Sequence, residues 1–150
     1  GFQEPFLPRN QGFDSYFGLL HNLDPVEIVY FADQGGVPLL RNDTIVKRPV
    51  DPAELTRSYT DEAIGFIEQN KERPFFLYLP LTSPHTPIVP AKSWQGKSNI
   101  GKYGDFLMET DWVVGQVLEA LDRNKLAKDT IVIFTADKGC RIYTSPSPRD

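Results

Sequence analysis

The sequence predicts an α/β domain with a partly parallel central sheet flanked by helices, and three observations carry that prediction. "FFLYLPL" from Phe75 and "TIVIFT" over Thr130–Thr135 are near-continuous apolar runs without polar alternation, the pattern of strands buried on both faces. Between them, Phe106, Leu107, Val114, Val117, Leu118 and Leu121 recur at helical spacing. Strand, helix, strand in that order is a crossover unit, whose strands run parallel with a right-handed connection. Both strands then finish at one edge of the sheet. "SPHTP" and "ADKG" are thereby expected side by side, where α/β proteins collect their chemistry.

Taken in order, residues 1 to about 25 read as loop, punctuated by Pro5, Pro8, Gly12 and Gly18. Its aromatic residues Phe2, Phe6, Phe13, Tyr16 and Phe17 must lie against something, so the loop is expected to cover a site or a core edge. Short strands are predicted at Glu27–Phe31 and within "LLRNDTIVKR", with a hairpin turn at Asn42-Asp43. "DPAEL" opens the first helix: Asp51 caps, Pro52 fits the first helical position, and Glu54 falls three after the cap. Leu55, Tyr59, Ala63, Phe66 and Ile67 share a face of it to about Glu68. The second helix spans roughly Tyr103 to Asn124. "CRIYTSPSPRD", residues 140–150, is small, Pro-rich and polar, and is expected to be a non-native tail. Opening at Gly1 without Met, the chain reads as an interior piece of a longer protein.

Composition narrows the function classes. Hydrophobic residues at 40% and charged residues at 24% describe an ordinary globular domain. A formal net charge of -4 without a Lys/Arg cluster argues against a nucleic-acid partner. No segment reaches membrane-spanning length. Cys140 is the single cysteine, which excludes an internal disulfide and a cysteine zinc cluster.

Among candidate residues, His85 stands in "TSPHTP", in a loop stiffened by prolines on both sides. Such a loop suits a phosphate or sulfate site, and equally a packing histidine in a turn. Asp137, just past a strand, can cap the next turn, the commoner use, or ligate a hard cation through oxygen. Lys138 can neutralise it, reach an oxyanion or stay solvated. Asp14, Asp24, Asp33 and Asp43 lie in loops without the alternating spacing of a calcium loop. Glu109 and Asp111 fall on the second helix; Asp111, next to the apolar face through Trp112, reads as a buried pair or a cap for the neighbouring loop rather than a catalytic group. His21 reads as a packing or surface residue that could touch substrate if a site lies near. Cys140 has no histidine near it in sequence, and a nucleophilic role is set aside.

Several stretches together resemble one family, the sulfatases of arylsulfatase type within the alkaline-phosphatase-like superfamily. They are "LPRNQGFDSYFG" at Leu7–Gly18, "LLRNDTIVKRPVD", "LTRSYTDEAIGFIEQNKERPFFLYLPLTSPHTP", "YGDFLMETDWVVGQVLEAL" and "TIVIFTADKG". The resemblance covers residues 1–139 and implies a partial catalytic domain with the alkaline-phosphatase-like sandwich fold. It implies that His85 binds the sulfate group and assists at the leaving oxygen. Asp137 matches a ligand of calcium, or magnesium in some members. Lys138 falls where the family has asparagine; an ammonium offers no acceptor and cannot ligate a cation. The formylglycine nucleophile, made within a Cys/Ser-x-Pro-x-Arg motif, is absent from this sequence, so the chain alone is expected to be inactive. The complete protein is then expected to hydrolyse a sulfated small molecule or glycan. Its setting would be secreted, periplasmic or lysosomal. A phosphonate monoester or phosphodiester hydrolase, and an inactive homologue acting as a binding domain, are the alternatives.

Overall fold

The computed structural model of the chain describes residues 3–23 and 31–136. Two long helices make up most of the regular secondary structure among these residues. α1, Pro52–Asn70, begins where the Asp51 carboxylate accepts the Ala53 N–H at 3.0 Å and proline fills a position that needs no N–H. Leu55, Tyr59, Ala63 and Ile67 are buried along it at four-residue spacing, one stripe facing inward. α2, Lys102–Arg123, follows Gly101 at φ 77° and closes at Asn124, whose N–H bonds back to the Ala120 carbonyl. Phe106, Val113, Ala120 and Leu121 form its buried stripe.

Three short strands make one antiparallel sheet in the order β1-β2-β3: β1 Phe17–Gly18, β2 Leu39–Arg41 and β3 Thr44–Lys47. Phe17 stands opposite Arg41, and Arg41 opposite Thr44. The hairpin turns at Asn42, whose φ of 54° suits asparagine better than most side chains. Asn42 also clasps the residue before β1, its N–H donating to the Tyr16 carbonyl at 2.7 Å and its Oδ1 accepting the Tyr16 N–H at 3.0 Å. The predicted hairpin and its turn therefore form, and both helices form close to their predicted bounds.

Two apolar clusters hold these parts together. Leu23, Phe31, Val37, Leu39, Val50, Leu55 and Tyr59 join the sheet to the first half of α1. Ile67, Ala120 and Leu121 join α1 to α2, with Phe75, Leu77 and Val117 packed against them. Ion pairs of Arg41 with Glu62 and of Lys47 with Glu54 tie the sheet to α1 at the surface.

The fold class requires correction. Among the described residues the sheet is small and wholly antiparallel. Neither the partly parallel sheet nor the alkaline-phosphatase-like sandwich expected from the sequence is formed. Neither Phe75–Leu79 nor Thr130–Thr135 lies in a strand. The first run is half-buried on alternate residues: Phe75, Leu77 and Leu79 pack inward, while Phe76 and Tyr78 are 75% and 65% exposed. The second is bare, with Ile131 89% and Ile133 81% exposed. A strand exists only when a neighbour completes its hydrogen-bond ladder, and no strand lies beside either run among the described residues. Of the predicted strand Glu27–Phe31, residues 27–30 lie outside the described part, and Phe31 stands in a turn.

Ile67→Ala is expected to lower unfolding stability by about 2–5 kcal/mol, because it empties the junction of α1, α2 and the Phe75 run. Tyr78→Ala should change it by less than about 0.5 kcal/mol. Urea unfolding of both variants checks the pair, and similar losses would show that the run is not buried on one side alone.

Candidate functional site

The Phe75 run delivers the chain to the His85 loop, its last apolar residues Leu79 and Leu81 resting on the sheet-side core. The loop then turns, the His85 N–H donating to the Thr82 carbonyl at 3.0 Å. α2 holds it there through Thr110, whose Oγ1 lies 2.8 Å from both Ser83 Oγ and the Phe106 carbonyl. A hydroxyl has one proton and a carbonyl only accepts, so Thr110 donates to Phe106 and accepts from Ser83.

The segment after His85 is fastened to the same helix. Glu109 Oε2 accepts the Ala91 N–H at 3.0 Å, and the two Asp105 oxygens accept the N–H groups of Gly96 at 2.8 Å and Ser98 at 2.7 Å. Both carboxylates are buried, Glu109 to 1% and Asp105 to 2% exposure. The Ser98 and Gly96 N–H groups hold Asp105 below the usual carboxylate range, whereas burial pushes Glu109 up against the pull of the Ala91 N–H. The approach is close enough that a side chain at Gly104 would collide with Ser98 Oγ and Ile100.

His85 itself is exposed. Its Nδ1 lies 2.7 Å from the Thr86 carbonyl, so Nδ1 carries a proton and Nε2 is the atom left to work. Beside it is a cavity of about 40 Å³ lined by Asn22 and Leu23 of the N-terminal loop, Pro52 at the start of α1, Thr82, Thr86, Pro87 and Phe106. The N-terminal loop thus reaches this place through residues 22 and 23. His21 does not line the cavity; its ring packs edge-on against Phe31 with centroids 4.9 Å apart.

Other predicted residues do not gather here. Asp137, Lys138 and Cys140 lie outside the described residues, as does Asp24. Asp14 and Asp33 are exposed, and Asp43 pairs with Arg9 at 2.5 Å. Asp111, expected as a buried pair or cap, is exposed; Asp105, which the sequence reading passed over, performs the capping. Among the described residues no three His, Cys, Asp or Glu side chains come together as a metal site, so these residues do not compose the calcium site that the family resemblance implies.

One electrostatic feature was also passed over. From Arg73 to Gly104 there is no Asp or Glu, although the chain has 20 acidic residues, and Arg73, Lys92, Lys97 and Lys102 lie in or at the ends of that span. The His85 loop therefore sits in the locally cationic part of an acidic chain, a setting that favours anions.

Comparison with known proteins agrees with the sequence resemblance. The Sulfatase family profile matches residues 2–149. Human steryl-sulfatase is 38% identical over 127 residues, 85% of this chain and 20% of that protein. Mouse N-acetylgalactosamine-6-sulfatase is 32% identical over 156 residues, 98% of this chain and 30% of that protein. The crystal structure of Ps i-CgsB in complex with k-i-k-neocarrahexaose superposes with a TM-score of 0.65 at 28% identity, over 84% of this chain and 32% of that one. The chain thus spans less than a third of the length of these relatives.

Two expectations follow from the geometry. Thr110→Val, which removes the acceptor for Ser83, should speed amide exchange at His85 by roughly 3–10-fold, the worth of one hydrogen bond, while Thr110→Ser should not. Equal rates in all three proteins would remove Thr110 as the anchor. The second concerns acid. Asp105, held below its ordinary 3.8, contributes stability that is full above that value and is lost as pH falls through its lower folded value. Glu109, raised above its ordinary 4.5, acts in the opposite sense, its contribution full below that value and fading as pH rises through the folded one. Fluorescence of Trp94 on acid titration should therefore report loosening of the segment below about pH 3.8, and Asp105→Asn should flatten that limb. An unchanged limb would contradict the clasp.

Proposed function

This chain belongs to the sulfatase family, and we propose that in the complete protein it presents His85 to the ester oxygen of a sulfated substrate. The observation that carries the proposal is the ring's fixed tautomer: Nδ1–H is committed to the Thr86 carbonyl at 2.7 Å, on a loop anchored through Ser83 and Thr110. Nε2 is left to bind a sulfate oxygen and, when protonated, to donate to the departing oxygen. As the sulfur–oxygen ester bond breaks, its electron pair stays with oxygen, which takes the Nε2 proton and leaves as the alcohol. Attack at sulfur is assigned to residues outside this chain, which holds no Cys/Ser-x-Pro-x-Arg motif.

A calcium ion, or magnesium, would stabilise charge on the sulfate oxygens, with Asp137 among its ligands. Lys138 beside it cannot ligate. The described residues do not make such a site, so no step here depends on the metal. For substrate class, the relatives' names include a sterol and an amino-sugar sulfate, and the similar structure holds a carrageenan oligosaccharide. A sulfated saccharide or small molecule is the class proposed for this protein. The acid-free span around His85 supports an anionic ligand of either kind.

In the complete protein, His85→Ala is expected to lower kcat/KM for an aryl sulfate by about 10²–10⁴-fold, the usual worth of a positioned proton donor. A loss under tenfold would remove His85 from that role. Faster turnover of a phosphonate monoester than of the sulfate ester would move the substrate class instead.

A further inference from the structure

On the side of α2 away from the His85 cavity lies a second hollow, open to solvent and about 550 Å³ in volume, lined by Trp94, Leu107, Met108, Asp111 and Trp112. The two indoles stand 6.1 Å apart at 52°. Phe106 borders the His85 cavity and the next two residues border this hollow, so the two places lie on different sides of the same turn of α2. We propose that this hollow is an accessory binding surface for a sulfated saccharide chain, separate from the site of hydrolysis; it rests on the reading of the protein as acting on sulfate esters.

The chemistry of the lining selects the ligand. Indole faces complement the C–H face of a pyranose ring, and Asp111 offers an exposed acceptor for sugar hydroxyls. A rigid apolar sulfate such as a sterol ester would remain largely wet in a hollow this open, since apolar ligands call for enclosure. Positive charge comes from the Trp94 side. Lys97 Nζ sits 4.4 Å over the Trp94 ring and has no acidic partner among the described residues. It is exposed, flexible and carries three donors, so it can swing from the ring to a sulfate. Arg57 stacks 5.5 Å over Trp112 but donates from Nε to both Asp61 oxygens, so it props the indole and leaves the charge to Lys97. Lys92 and Lys102 flank Trp94 in the acid-free span. The Asp111 carboxylate opposes a sulfate placed directly over it. It therefore sets the direction in which the saccharide lies, sulfate toward Lys97 and hydroxyls toward Asp111.

The chain has two tryptophans and both line this hollow, so at fixed pH its indole fluorescence reads a ligand placed there. The full chain is titrated at low salt with a sulfated galactan hexasaccharide, with its desulfated counterpart and with inorganic sulfate. Expected are a saturable fluorescence change with the sulfated sugar alone, at least threefold weaker binding in Lys97→Ala, and loss of response in Trp94→Ala. Trp94→Phe keeps the ring and reads the remaining indole should the alanine variant misfold. Absence of a response overturns the proposal. So does an equal response to the desulfated sugar or to sulfate, or indifference to Lys97→Ala. His85→Ala should leave the titration unchanged, so failure of the hydrolytic reading and failure of this one are told apart.

Discussion

Two buried carboxylates on one face of α2 are the constraint on which the functional part of this chain depends. Between the Phe75 run and α2 the backbone passes through some twenty residues that form neither helix nor strand, and its buried N–H groups need partners. Asp105 and Glu109, four residues apart and therefore one above the other, supply them. Thr110 adds a hydroxyl to the same side and reaches Ser83. The costs differ. Asp105 accepts two N–H groups and stays ionised with ease, whereas Glu109 accepts the Ala91 N–H and is pushed toward protonation by burial. Position of the helix matters for the same reason, and it is fixed by Ile67, Ala120 and Leu121 at the α1–α2 seam.

Local signals in the sequence were read well where the structure they specify is also local. Asp51 and Pro52 start α1 as their chemistry requires, and Asn42 turns the hairpin through its own φ. The apolar runs failed because strand formation is not a local property. In Phe75–Leu79 the outward residues, Phe76 and Tyr78, are as apolar or aromatic as the inward ones, so the sequence conceals the alternation that burial reveals. Thr130–Thr135 has strand-forming residues and no ladder among the described residues. The crossover built on those two runs consequently had no sheet to stand in, and the expected meeting of "SPHTP" with "ADKG" lost its premise.

Legibility of the site follows the same division. His85 could be singled out by type and by the prolines around it, both visible in six residues. Its tautomer could not, because that depends on where the Thr86 carbonyl points. Asp105 was overlooked since an acid in the first turn of a helix already has an ordinary reason to be there, favourable interaction with the helix dipole. Asp111 drew attention through its neighbour Trp112, yet five residues of helix turn it well away from the buried face that Phe106 occupies. The bases are not clustered along the chain; the informative pattern is a 32-residue span, Arg73 to Gly104, without an acid.

That distribution also reconciles a net charge of -4 with the anionic ligand proposed for the protein. Net charge governs repulsion at distances beyond the screening length, about 8 Å in physiological salt, while binding is decided within it. Among the described residues, Asp105 and Glu109 bind this segment from beneath, both buried and accepting backbone N–H groups, and Asp111 lies at the open hollow. Carboxylates that position the loop are thus kept inside, and the lysines at 92, 97 and 102 stay at its surface. A single length of backbone carries both His85 and Trp94, and one helix face holds it down. The proposed ester site and the proposed saccharide hollow are therefore placed by the same clasp, and loosening Asp105, which holds Gly96 and Ser98, acts on nearby Trp94 and on more distant His85 through the backbone.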